Sequence, residues 1–269
     1  MPNNESFQRD FEAFRSFREE IVAAPFGPLS PIGMAWLDEN PVRVHGAPGQ
    51  WSFIDGEVRL SLKEGENLML DDQPLNPDYT EVTLNLGEVD VAGIFLQDGE
   101  KRIEVALRGS RPIVRPRDPS NHHLNSHLKV PTFPADPAWV IEGTFRPYAE
   151  PEEIIVASVL EGAEHRQMVR GTVHFEVAGR PQRLLALATG NPYSLGLHFT
   201  DETSGKTTWK DVRVTTAALQ EDGETVIIDF NKTLNQPCAF TDYATCPLPA
   251  PGDHLDVEIT AGEMIPEGR

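Results

Sequence analysis

Trp51–Leu62 reads WSFIDGEVRLSL, and its pattern decides the class of fold. Apolar side chains alternate on both sides of Asp55-Gly56, a pair suited to the left-handed backbone of a tight turn. The pattern predicts a β-hairpin with Val58, Leu60 and Leu62 on one face. The device recurs along the chain. GIFLQDGEKRIEVALRG, from Gly93, turns at Asp98-Gly99, and GTVHFEVAGRPQRLLALATG, from Gly171, turns near Ala178-Gly179. ALQEDGETVIIDF, from Ala218, turns at Asp222-Gly223. Many short strands at close spacing predict a mainly β protein of sandwich or barrel-like units, not a parallel α/β sheet.

Helical periodicity is confined to the start. Phe7, Phe11, Phe14, Phe17 and Ile21 fall at helical spacing and predict an amphipathic helix within residues 1–25. Asn4 or Ser6 can cap it, and Pro25 and Pro28 end it. The hairpins then divide around Arg111–Trp139, RPIVRPRDPSNHHLNSHLKVPTFPADPAW, which reads as a long connection or a short helix with loops because of its prolines and weak periodicity. The expected organisation is a helix (1–25), an N-terminal β unit (26–115), a proline-rich connection (116–137) and a C-terminal β unit (138–269).

The chain has 269 residues, enough to bury a core without covalent staples. Its formal net charge is −19, which repels nucleic acid and anionic membranes while remaining compatible with a local basic pocket. No apolar run approaches a membrane span, and the first residues show no apolar signal core, so the expected location is the cytoplasm. Reducing conditions there favour free thiols, although the seven residues between Cys238 and Cys246 would allow a disulfide.

Familiar chemical signatures are missing. The chain has no phosphate-cradling glycine loop and no Gly-x-Ser-x-Gly elbow. His122, His123 and His127 lie close together, but no Glu follows His123 and the surrounding prolines make a poor platform, so no metal site is expected. Nothing in the residues calls for a particular cofactor.

The last third of the chain carries a more specific pattern. Phe199, Asp201, Thr203, Ser204, Gly205 and Arg213 are followed by Asp229, Phe230, Asn231, Asn235, Pro237, Cys238 and Ala239. Cys246, Pro247, Leu248, Pro249, Pro251 and Glu263 complete it. The series resembles a bacterial and archaeal family known only as domain-of-unknown-function family 1684. In that pattern a Tyr-Gly-x-Gly-Arg element stands where this chain has Trp209-Lys210-Asp211-Val212-Arg213, so both glycines are replaced. Arg117 and Asp118 resemble the family's middle portion more loosely. The resemblance supplies no chemistry.

The residues themselves allow three readings. In the first, Asp201 and Arg213 pair internally while Asn231 and Asn235 bond loop backbone, and Cys238 and Cys246 are structural thiols. In the second, the protein binds a small anionic or polar molecule. Arg213 and Arg117 would then grip an anion, Asn231 and Asn235 would read polar groups, and Trp209 would offer a stacking face. In the third, Asp201 and Asp229 form the acid–base pair of a hydrolase-type enzyme. Small-ligand binding is the favoured expectation.

Overall fold

The computed structural model describes residues 4–75, 82–84, 86, 93–109, 111–121, 123 and 130–269. The chain is mainly β, with one long helix, α1 (Asn4–Val22), and largely antiparallel sheets. It divides into two compact units. The N-terminal unit comprises Ile21–His127 and Thr241–Tyr243. The C-terminal unit comprises Met1–Glu20, Leu128–Phe240 and Ala244–Arg269. His122 and His127 lie outside the described residues. Among the described residues, no helix is long and apolar enough to cross a membrane.

The N-terminal unit contains β1 (Ala35–Trp36), β2 (Gln50–Ile54), β3 (Glu57–Ser61), β4 (Met69–Leu70), β5 (Gln73–Pro74) and β6 (Val82–Leu84). It continues with β7 (Ile94–Asp98), β8 (Lys101–Arg108) and β9 (Arg111–Arg117). One sheet has the order β1-β9-β8-β7-β4-β5 and the other β2-β3-β6. Both contribute to one core: Trp51, Val58 and Leu60 from the small sheet meet Leu96, Ile103, Val105 and Val114 from the large one. The Trp51 hairpin forms as its sequence predicts, with Asp55 and Gly56 both at positive φ in the turn.

β9 departs from the expected organisation. The stretch RPIVRPR reads as the start of a loop, and the N-terminal unit was expected to end at residue 115. Instead Arg111–Arg117 forms a buried strand paired along its length with β8. Pro112 and Pro116 are tolerated for a geometric reason. Their carbonyls point away from β8 and accept from Leu37 N and Ile32 N, each at 3.0 Å. The missing N–H groups therefore fall on the side where β1 pairs over only two residues, and the β8 ladder is intact.

The C-terminal unit contains β10 (Val140–Ala157), β11 (Glu164–Val177), β12 (Arg180–Ala188), β13 (Ser194–Asp201), β14 (Arg213–Leu219) and β15 (Thr225–Asp229). Each pairs with the next, β15 returns to β10, and β13 pairs with β14, so the six strands close into a barrel. Its interior is filled by Phe145, Phe175, Leu184, Leu197, Phe199, Ile228 and Phe230. The Phe230 ring sits edge-on to Phe199 at 5.8 Å between centroids. The weak seam is between β12 and β13, which pair at only two positions. There β16 (Leu234–Asn235) and β17 (His254–Leu255) complete the sheet at different points: β16 on β14, and β17 in parallel on β13.

α1 forms as expected, but only the first part of its apolar stripe is covered, with Phe11 and Phe14 half-buried. Phe7 is buried, whereas Phe17 is 61% exposed and Ile21 41%. The face turned inward also carries Arg15 and Arg18, because the C-terminal unit buries a carboxylate, Glu263, that needs cationic partners.

Candidate functional site

The polar residues of the C-terminal unit form three clusters, each bonded within its own chain, although Arg213 Nε and Asn235 Oδ1 are buried without a hydrogen-bond partner among the described residues. In the first, β13 ends at Asp201 and β14 begins at Arg213. Asp201 accepts from Arg213 Nη1 at 3.0 Å, Ile259 N at 2.7 Å, Thr203 Oγ1 at 2.8 Å and Ser204 Oγ at 3.1 Å. Arg213 donates onward to the carbonyls of Ile259 and Ala261 and lies against the Phe199 ring. Both charged groups are buried. Burial pulls Arg213 down to about 10, with the Asp201 charge and hydrogen bond opposing it.

The second cluster sits at the end of β15. Asp229 caps a single 3-10 turn by accepting from Asn231 N and Asn231 Nδ2. Asn231 also clamps the backbone of Asp136, accepting from its N–H at 2.9 Å and donating to its carbonyl at 3.0 Å. It thereby ties the entry of β10 to the exit of β15.

The third cluster surrounds Glu263. This buried carboxylate accepts from Arg15 Nη1 at 2.9 Å, Arg18 Nε at 3.0 Å and Asn235 N at 2.7 Å. Arg18 also donates to the Asn235 carbonyl, and Asn235 Nδ2 donates to the Met264 carbonyl. Gly262 is required beside it: its φ is +77°, and a Cβ there would lie 2.6 Å from the Thr233 carbonyl oxygen.

Trp209 and the two cysteines form a small apolar cluster with Val212 and Ala244. Val212, at one of the two positions where the family pattern has glycine, is fully buried there. Cys238 and Cys246 are free thiols, and Cys238 N donates to Cys246 Sγ at 3.3 Å. A hydrogen bond to Cys246 and burial both push the Cys238 thiol far up, which disfavours the thiolate.

Arg117 belongs to the N-terminal unit, in a different setting. β8 and β9 place Glu104 opposite Arg115 and Arg102 opposite Arg117. Glu104 is buried at the floor of a cleft of about 290 Å³, lined also by Phe26, Phe95, Arg102, Arg108, Arg115 and Arg117. Three guanidinium groups converge on its carboxylate: Arg115 at 2.7 and 2.9 Å, Arg117 at 3.0 and 3.1 Å, and Arg108 through Nη2. Burial pushes Glu104 up, but the Arg115 hydrogen bond and the charges of Arg115, Arg117 and Arg108 outweigh it, and the carboxyl stays below its usual range. Arg108 and Arg117 are both lowered, first by burial and also by mutual repulsion among the arginines, against the pull of Glu104. Arg102 stacks on Phe26, 4.0 Å from the ring centroid. The lining thus holds four cations and one anion.

Of the residues singled out in the sequence, the structure places Arg117 in this cleft, Asp201, Arg213, Asp229, Asn231 and Asn235 among the hydrogen-bonded groups of the C-terminal unit, and Trp209 against its apolar cysteine cluster. The sequence reading missed Arg102, Glu104, Arg108 and Arg115. Their signal was an every-second-residue alternation of charges in β8 and β9.

A comparison with solved structures finds the solution NMR structure of an uncharacterized protein of Haloarcula marismortui. It is 26% identical over 50% of this chain and 75% of that one, with a TM-score of 0.42. No curated protein matches. Residues 125–264 match the family described as "protein of unknown function (DUF1684)", and the chain belongs to that family.

Proposed function

We propose that the protein binds a small anionic ligand in the cleft lined by Arg102, Arg108, Arg115 and Arg117. The observation that carries this reading is the charge balance. One buried carboxylate and four guanidinium groups line the cleft, in a chain whose overall charge is −19. Leaving cations crowded and partly desolvated is unfavourable, and a second anion relieves it. The cleft lies in residues preceding the family match, so the ligand belongs to the N-terminal unit.

The clusters of the C-terminal unit favour a scaffolding role. Each buried charge there already meets partners from its own chain, which supports the structural reading of Asp201, Arg213, Asn231 and Asn235. We place the protein in the cytoplasm, a setting that suits its two free thiols.

The test is the melting temperature of the full chain in phosphate or citrate against chloride at matched ionic strength. A rise that saturates in the millimolar range and is lost in Arg102→Ala supports binding by mass action. A rise that grows without saturation, or is equal in the variant, would be the general salting effect of these anions and would overturn the proposal.

A further inference from the structure

We infer that the ligand is a small phosphomonoester carrying a planar, apolar group, an inference that rests on the anion-binding reading above. Two features of the cleft select this class, one by charge and one by shape.

The positive charge is concentrated at a point. Arg115 and Arg117 each hold Glu104 through two nitrogens, and Arg108 joins them, so three guanidinium groups lie within hydrogen-bond distance of a single carboxylate. Arg102, Arg115 and Arg117 alone set three positive charges against Glu104 in the lining. The Arg117 side chain keeps 17% exposure, so its charge reaches the cleft. A compact dianion meets such a focus best. Phosphate places two charges and three acceptor oxygens on one centre, which suits the N–H groups that remain once the forks of Arg115 and Arg117 have taken Glu104. A monocarboxylate supplies half the charge, and a dicarboxylate spreads it over two separated groups.

The apolar part of the lining is Phe26 and Phe95. Phe95 is 42% exposed at the lining, and the Phe26 ring already carries the Arg102 guanidinium on its face. A cavity of about 150 Å³ holds a benzene-sized ring. The cleft, at about 290 Å³, therefore has room for a ring beside a phosphate. A planar group there covers Phe95 and lies against the Arg102–Phe26 stack.

The experiment is calorimetric titration of the full chain with phenyl phosphate, inorganic phosphate, benzoate and phenol. Phenyl phosphate is expected to bind at least about tenfold more tightly than benzoate and roughly threefold to tenfold more tightly than inorganic phosphate. Phenol is expected not to bind. Phe95→Ala, an exposed position that leaves the core intact, is expected to abolish the advantage of phenyl phosphate over phosphate. Arg102→Ala should weaken both. Benzoate binding as tightly as phenyl phosphate would overturn the phosphate assignment and leave the anion-binding reading standing. Inorganic phosphate binding as tightly as phenyl phosphate would overturn the planar group in the same way. Binding by none of the anions would overturn both.

Discussion

Asp253 is almost wholly buried in the C-terminal unit, and its side chain accepts one hydrogen bond, from Leu185 N at 3.1 Å. Burial pushes its carboxyl up to about 6, with the Leu185 bond and Arg183 opposing. The native state therefore holds this proton at a pH where the unfolded chain has released it. Between about pH 4 and pH 6 the folded form binds more protons, so this group's contribution falls as pH rises and stays low above that window. Asp253→Asn keeps the acceptor oxygen and removes the charge. It is expected to stabilise the protein at pH 7 by on the order of 2–3 kcal/mol and to flatten this part of the pH profile, read from urea midpoints at several pH values. Glu104, shifted the opposite way, makes comparison with the parent chain essential. Asp201 behaves differently, because its charge is fully partnered. Asp201→Asn leaves Arg213 buried beside a neutral amide and is expected to cost about 3–5 kcal/mol in the same measurement. A loss under about 1 kcal/mol would mean that the pair is dispensable and would remove the scaffolding reading of that cluster.

The elements show what the sequence did and did not disclose. The hairpins were legible because turn chemistry and two-residue alternation agree, as at Asp55-Gly56 and Ala178-Gly179. The second turn carries a strain that can be relieved: Ala178 sits at φ +50°, a left-handed conformation that costs an alanine about 1 kcal/mol. Ala178→Gly or Ala178→Asn is expected to raise stability by roughly 0.5–1 kcal/mol, seen as a higher melting temperature without loss of cooperativity. β9 was hidden because Pro112 and Pro116 read as loop signals, and only the pairing partners on each side show why a strand tolerates them. With β9 hidden, the arginine cleft was hidden too, except for Arg117. In α1 the five apolar positions at helical spacing masked the charged part of the inward face. The cations of Arg15 and Arg18 had no visible reason to point inward, since Glu263 lies 248 and 245 residues away in sequence. Replacing both with Met is expected to cost several kcal/mol through the unpaired Glu263 and to remove hydrogen-exchange protection from the α1 amides. Unchanged protection in α1 would show that its apolar contacts alone hold it.

At the scale of the whole molecule, charge separates what the chain can bind from what it repels. A net charge of −19 opposes any extended polyanion, whose phosphates would lie against acidic surface, while a small anion entering the cleft meets arginines. The chain is therefore expected to leave the mobility of duplex DNA unchanged at about 0.1 M salt, near a Debye length of ~10 Å, while still binding a small phosphate compound. A shift in that gel would mean that a basic surface overrides the overall charge. The family match and the barrel coincide in the C-terminal unit, and that unit is discontinuous: α1 and Glu263 flank nearly the whole sequence. This fixes an order of events during synthesis. α1 leaves the ribosome early, and its buried counter-charge follows 245 residues later. At ~5–20 residues per second that is roughly 10–50 s, during which Arg15 and Arg18 have no Glu263 to hold. The intervening residues have that interval in which to fold. The contact between α1 and Glu263 is therefore available only after the residues between them have been made.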